Sequence, residues 1–241
     1  MRYAILGDIH GNLEALQAVL EACRQEGVRK YFCVGDIVGY GANPQECFDV
    51  LSYYKAQSVA GDHDWAVAGK ISTENFNDAA QAAVVWTHKH LTLGYVKALE
   101  DLELIYKNND FVMAHATFHK PESFNYLLDP LKSLDSFYAM DRRVCFIGHT
   151  HKPQILVQHE NKIDVSMKPQ VEINARYKYI INVGSVGQPR DLNPKACYCI
   201  FDPDLQRIEI KRVEYDLKTA QKKILEAGLP EILAQRLAIG Q

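Results

Sequence analysis

The chain has 241 residues, a formal net charge of −3, 47% hydrophobic and 24% charged side chains. Those proportions are ordinary for a folded protein and exclude a disordered, collagen-like or low-complexity chain. No apolar run approaches the roughly 18 residues of a membrane helix, and the few residues between Arg2 and Gly7 are too short for a signal peptide.

A β-prone run from Arg2 to Leu6 stops at Gly7-Asp8. Asn12 is a candidate cap for a helix whose apolar stripe runs from Leu13 to Cys23 and ends at Gly27. Tyr31–Val34 reads as a strand, Pro44–Tyr54 as a helix and Gln57–Ala60 as a strand. This alternation predicts an α/β architecture that begins with a largely parallel sheet. Phe76–Leu91 predicts a long helix and Leu93–Leu99 a short one. Glu103–Lys107 and Phe111–Ala114 predict neighbouring strands across a turn at Asn108-Asn109-Asp110.

Residues 117–140 mix aromatic and polar side chains without a period and read as a loop over a site. Strands are expected at Val144–Ile147, Gln154–Gln158, Val171–Asn174, Tyr179–Val183, Cys197–Phe201 and Arg207–Val213. They would form a second sheet packed on the first. The tail, about 216–238, is helical with a break at Gly228-Leu229-Pro230. With no repeat and no Ser/Pro-rich linker, residues 1–241 read as one domain. The six cysteines form no CxxC pair, so reduced core thiols and a cytoplasmic setting are expected.

Five strand ends carry metal-type ligands: Asp8-Ile9-His10, Gly35-Asp36, Gly61-Asp62-His63-Asp64, His115 and Gly148-His149-Thr150-His151. Sites in open α/β sheets form beyond the carboxyl ends of strands, so these residues should converge. Asp-x-His and His-x-His place two ligands on one side of an extended segment. Mixed carboxylate and imidazole ligands suit zinc, manganese or iron better than magnesium or calcium. Of the other histidines, His88 and His90 read as helix-surface or packing residues, and His119 and His159 as structural.

These motifs, in this order, resemble those of the calcineurin-like metallophosphoesterases. The stretch Asn182-Val183-Gly184-Ser185-Val186-Gly187-Gln188-Pro189-Arg190 resembles the late signature of their small bacterial and archaeal phosphodiesterase branch. The resemblance implies a four-layer α/β/β/α sandwich with two mixed sheets. It implies two transition-metal ions, divalent or mixed-valence, with manganese, iron and zinc the candidates. Asp8, His10, Asp36 and His151 would hold one; Asp36, Asp62, His115 and His149 would hold the other. A hydroxide bridging the metals would attack phosphorus in line, with His63 as the acid and Asp64 orienting it.

Arg190 is a candidate phosphate contact, since a guanidinium fork matches phosphoryl oxygens, or else a salt-bridged residue in a structural turn. Asn43 is read as the cap of the helix after Pro44 rather than as a substrate contact. The pattern also departs from the family. Asp62 stands where Asn is usual, Gly39 where a further Asp is common, and Ala116 where Gly follows the histidine. Asp62 should tighten metal binding, or favour an Fe(III)-containing pair, at the expense of rate on dianionic monoesters.

The expected activity is hydrolysis of a small phosphoester, with diesters favoured over monoesters. A non-catalytic metal-binding scaffold on the same fold is the alternative. A nuclease would need a basic groove with stacking aromatics. Phe124, Tyr126, Arg142 and Arg143 are its candidates, but there is no basic stripe, so nucleic acid is not favoured as a partner and no membrane is expected.

Overall fold

The computed structural model describes residues 1–160, 162–166 and 168–241. The chain begins with β1 (Tyr3–Leu6), α1 (Leu13–Gln25), β2 (Lys30–Cys33), α2 (Pro44–Tyr53) and β3 (Gln57–Ser58). β1 pairs in parallel with β2, and β2 with β3, as the alternation predicts. Three helices follow: α3 (Asp62–Val67), α4 (Asp78–His90) and α5 (Leu93–Glu100). β4 (Ile105–Lys107) and β5 (Val112–Ala114) then form the expected antiparallel pair.

Residues 117–140 contain single 3₁₀ turns at Pro121–Ser123 and Pro130–Ser133, then α6 (Leu134–Ala139). The second half runs β6 (Val144–Ile147), β7 (Gln154–His159), β8 (Lys162–Ser166), β9 (Gln170–Glu172), β10 (Lys178–Asn182), β11 (Ala196–Asp202) and β12 (Arg207–Val213). α7 (Leu217–Glu226) and α8 (Glu231–Ile239) flank the Gly228-Leu229-Pro230 break.

Two six-stranded mixed sheets result, ordered β3-β2-β1-β11-β12-β9 and β4-β5-β6-β10-β7-β8. The late strands therefore do not all belong to the second sheet. β11 pairs antiparallel with β1, and β12 and β9 extend the first sheet. β11 is buried along its whole length, which suits a central strand.

Side-chain alternation separates the layers. Tyr3 and Ile5 of β1 point between the sheets, where they join Phe32, Phe111, Phe146, Ile181 and Phe201. Ala4 and Leu6 of the same strand pack outward against Leu16, Val19 and Leu20 of α1. On the far side, Cys145, Ile147 and Ile180 are covered by Leu127, Phe137 and Met140. The order helix, sheet, sheet, helix is the expected four-layer sandwich. Among the described residues, no helix is long and apolar enough to cross a membrane.

All six cysteines are free and buried. Asn12 caps α1, accepting from the Ala15 N–H at 3.1 Å. Asn43 makes no such cap; its side chain donates instead to Glu46 Oε1 at 2.9 Å.

Candidate metal centre

The strand ends converge as the motifs require. Asp8 follows β1, Asp36 follows β2, His115 follows β5, and His149 and His151 follow β6. Asp62 opens α3, so the third motif starts a helix rather than ending a long strand. Asp8, His10, Asp36, His115 and His151 are each at most 1–2% exposed. Such burial of polar and charged groups costs several kcal/mol per ion unless something compensates it.

Two groups of ligand atoms lie together: Asp8, His10, Asp36 and His151 in one, Asp62, His115 and His149 in the other. Asp36 Oδ2 stands 3.4 Å from His10 Nε2 in the first group and 3.4 Å from His115 Nε2 in the second. Asp62 Oδ1 lies 3.2 Å from both His115 Nε2 and His149 Nδ1. His151 Nε2 lies 3.3 Å from Asp8 Oδ1.

The imidazole tautomers test whether this donor set suits a cation. His10 Nδ1 donates to the Val38 carbonyl at 3.0 Å, and His151 Nδ1 to the Gln188 carbonyl at 2.6 Å. Each neutral ring therefore presents a lone pair at Nε2. Those two nitrogens face each other at 3.1 Å, where two lone pairs cannot bond. His115 Nδ1 is likewise fixed on the Val34 carbonyl at 2.8 Å, turning Nε2 toward Asp36 and Asp62. Backbone carbonyls that fix the tautomer are the usual support of a metal-binding histidine. The residues fit a pair of cations.

The electrostatics agree. Burial lowers His10 to a pKa of about 3 and His151 well below the usual histidine range, so both stay neutral ligands. Burial raises Asp8 to about 8 despite the field of His115. At His115, burial is outweighed by Asp36 and Asp62, and the pKa rises well above the usual value. Without metal, the pocket keeps a positive charge as a proton on His115.

Backbone strain marks the same residues. Asp8, His10, Asp36, His149 and His151 all have φ between 50° and 68°, in the left-handed region. Non-glycine residues in this conformation cluster at functional sites. Gly61 allows the close approach: a Cβ there would lie 2.0 Å from Asp36 Oδ1.

His63 lies between Tyr40 and Phe76, with ring centroids 4.4 and 4.9 Å away. It lines a cavity of about 300 Å³ together with Asp62 and His149. Burial lowers its pKa. The position held by Gly39 has a direct consequence. A Cβ there would sit 2.6 Å from His63 Nδ1, so the missing side chain makes room for the ring.

Asp64 does not orient His63, contrary to the sequence expectation. Its Oδ1 accepts the Ile37 and Val38 amides at 2.9 and 3.1 Å, and its Oδ2 accepts the Gly61 amide at 3.0 Å. His63 Nδ1 is buried without a hydrogen-bond partner among the described residues. Asp64 instead ties the loop after Asp36 to the start of α3.

Arg190 is half-buried and makes no salt bridge among the described residues. Its Nε and Nη2 donate to Gln188 Oε1 at 3.3 and 2.9 Å, and its guanidinium lies 5.6 Å from the Tyr40 ring centre. Gln188 thus holds Arg190 with its side chain and His151 with its carbonyl. The surrounding loop is fastened under the site. Ser185 Oγ donates to the Asp8 carbonyl at 2.7 Å, and Asn182 Nδ2 to that of Gly148 at 2.6 Å.

Tyr40, Gln188 and Phe76 were not singled out from sequence. The glycines on either side of Tyr40, Gly39 and Gly41, were the nearest local signal in the sequence; Tyr40 itself has a positive φ of 55°. Ala116 is buried, lies outside the left-handed region and does not line the cavity. Phe124 and Tyr126 line the cavity, but Arg142 and Arg143 line another with Asp110 and Asp141. The four nuclease candidates therefore form no common groove. His88 bonds the Val67 carbonyl, His90 stacks on Trp86, and His159 pairs with Asp164. His119 bonds through its backbone to Ser136 and Thr117.

Residues 1–205 match the model of the calcineurin-like phosphoesterase superfamily domain. An uncharacterised protein of Methanocaldococcus jannaschii is 43% identical over 248 aligned positions, which span 99% of this chain and 98% of that protein. The crystal structure of a metallophosphoesterase from Sphaerobacter thermophilus superposes with a TM-score of 0.87 at 37% identity, covering 100% of both chains. A hypothetical protein from Pyrococcus horikoshii shares the fold, with a TM-score of 0.80 at 20% identity over 100% of this chain and 98% of its own. The chain belongs to the calcineurin-like phosphoesterase superfamily.

Proposed function

We propose that the protein hydrolyses small phosphoesters, diesters in preference to monoesters, at a centre holding two metal ions. Asp8, His10, Asp36 and His151 hold one ion; Asp36, Asp62, His115 and His149 hold the other. The observation that carries this reading is the place of Asp36, whose Oδ2 is 3.4 Å from an imidazole nitrogen of each group. A carboxylate so placed is suited to both ions at once. Manganese, iron and zinc all suit these ligands. When bound, such a pair supplies Lewis acidity toward phosphoryl oxygens and a water that ionises near neutral pH.

The chain's own residues do the rest. His63 borders the ligands and opens on the cavity, where its ring N–H can reach a departing ester oxygen. Burial keeps the ring neutral in the free protein. An anionic phosphate beside it raises its proton affinity, so the proton is held when it is needed. Asp64 keeps its three backbone hydrogen bonds and serves as a positioning residue. Arg190, held by Gln188, offers its remaining N–H groups to a phosphoryl oxygen. The open cavity leaves room for the second ester group of a diester. The six buried free thiols support a cytoplasmic setting. The packing of α7 and α8 on α4 supports one domain over 1–241.

The test is turnover of bis(p-nitrophenyl) phosphate. Activity is expected with Mn²⁺, lost on chelation and restored by the metal. His63→Ala should lower kcat by roughly 10²–10⁴-fold while metal content is retained. Metal-loaded protein that is inactive on diesters and monoesters with manganese, iron and zinc would instead support a scaffold.

A further inference from the structure

Three of the four histidines in the two ligand groups are held from behind by the backbone. His10, His115 and His151 each bond through Nδ1 to a carbonyl, that of Val38, Val34 and Gln188 in turn, and present Nε2 to the site. His149 is the exception. Its Nδ1 is the nitrogen that faces its group, 3.2 Å from Asp62 Oδ1 and 3.2 Å from His115 Nε2. Its Nε2 is buried without a hydrogen-bond partner among the described residues. The hydrogen bond on the second nitrogen that ordinarily fixes a metal-binding imidazole has no counterpart there.

An aromatic ring takes its place. Tyr126 lies against His149 with centroids 4.0 Å apart and planes 29° apart. Turning the imidazole about its Cβ–Cγ bond would drive its edge into this ring. A flat contact on one face therefore holds the plane that a hydrogen bond holds in the other three. The neighbours of Tyr126 in sequence pin it in turn. Leu127 is buried with Cys145 and Ile147 of β6, the strand that leads into His149. Phe124 lies 6.1 Å from the His115 ring and 5.9 Å from that of Trp65. Between Ser123 and Pro130 the chain forms no helix or strand, so these side chains fix the segment.

We infer that Tyr126 is a positioning residue for His149: its stacking sets the plane of that imidazole and, through it, the affinity of the Asp62, His115 and His149 group for its metal ion. The inference rests on the two-ion reading of the centre but not on turnover. The first group has no such dependence, since both of its histidines are fixed by carbonyls. The second depends on a side chain that is 52% exposed, so the ring can be removed with the core left packed.

The test counts ions per chain. Chelator-stripped protein is titrated with Mn²⁺ and followed by calorimetry and by electron paramagnetic resonance, which separates a lone manganese from a spin-coupled pair. The parent should take up two ions and show the coupled spectrum. Tyr126→Ala should bind one ion about tenfold more weakly and leave the other unchanged. It should show the lone-ion spectrum at concentrations where the parent shows the pair. Tyr126→Phe should behave as the parent, because it keeps the ring and loses only the hydroxyl. The Tm of the stripped protein should be the same for all three. Tyr126→Ala binding both ions like the parent overturns the inference, as does Tyr126→Phe losing the ion that Tyr126→Ala loses. Equal weakening of both ions, with a lower Tm of the stripped protein, also overturns it and gives Tyr126 a role in the fold instead. A parent that takes up only one ion overturns the two-ion reading and the inference with it. The expected pattern supports the inference even where no ester is turned over, and that absence of turnover overturns only the hydrolytic reading.

Discussion

Asp62 is the residue whose charge most alters the centre. Its Oδ1 lies 3.2 Å from imidazole nitrogens of both His115 and His149. The side chains of those two histidines hold its carboxyl well below the usual range against the effect of burial. Two dications facing Asp8, Asp36 and Asp62 leave a charge of about +1, whereas an Asn would leave about +2. The smaller positive charge should bind metal more tightly and attract a dianionic phosphate less. Asp62→Asn is therefore expected to weaken metal retention about tenfold and to raise the monoester-to-diester ratio of kcat/KM. Metal content after dialysis against a competing chelator and a matched pair of substrates measure both effects. If neither changes, the charge argument fails.

Asp8 and His115 give the metal-free protein a definite pH dependence. Asp8, raised by burial to about 8, retains a proton in the fold that the unfolded chain has lost near pH 4. His115, raised well above its ordinary value, also retains an extra proton in the fold above its unfolded pKa. For these two groups the folded state binds more protons, so their contribution to stability falls as pH rises, that of Asp8 from about pH 4 through 8 and that of His115 above the ordinary histidine range. Below that range His10, His63 and His151, lowered by burial, contribute with the opposite sign. Metal binding needs Asp8 ionised and His115 deprotonated, so it releases these protons and gains strength over the same range. The Tm difference between Mn²⁺-loaded and chelated protein should widen from pH 5 to pH 8. A constant or narrowing difference would remove the proton linkage.

At the scale of elements, legibility followed how local the determining physics is. β1, α1, β2, α2 and β10 were readable because each buries a regular apolar pattern and ends at a turn residue. The ligands were readable for the same reason: Gly7-Asp8 and Gly35-Asp36 interrupt apolar strands where the chain leaves the sheet. α3 was missed because six residues hold less than two turns of pattern, and its first turn carries Asp62 and Asp64. β8 was missed because its alternation Lys162-Ile163-Asp164-Val165-Ser166 spans only five residues and leaves Val165 exposed, as suits an edge strand. Sheet membership was hidden more deeply. The pairing of β11 with β1 joins Cys199 to Ile5 across almost the whole chain, and no local pattern encodes such a partner. Asp64 was misread on the same ground, since its partners Ile37 and Val38 are backbone amides of a distant loop.

For the whole molecule, the helical tail supports the site from outside the sheets. Ile224, Leu229, Leu233 and Leu237 bury against Ala80, Ala83 and Tyr40, and Tyr40 touches both His10 and His63. Trp86 Nε1 donates to the Ala227 carbonyl at 2.9 Å. The Gly240 carbonyl accepts the Leu192 amide at 2.9 Å, two residues beyond Arg190. The tail thus braces Tyr40 on one side and the Arg190 loop on the other, while no ligand of either group lies on it. Ending the chain after Tyr215 would expose this apolar face and release both braces. Burial of four large aliphatic side chains represents several kcal/mol, so Tm should fall by roughly 10 °C or more. The catalytic change should appear mainly in KM, because Arg190 and Tyr40 lose their placement while the metal ligands keep theirs. Metal content per chain, Tm and separate kcat and KM values measure these effects. Loss of metal with unchanged KM for the remaining active fraction would mean that the tail supports the ligands rather than the substrate-facing residues.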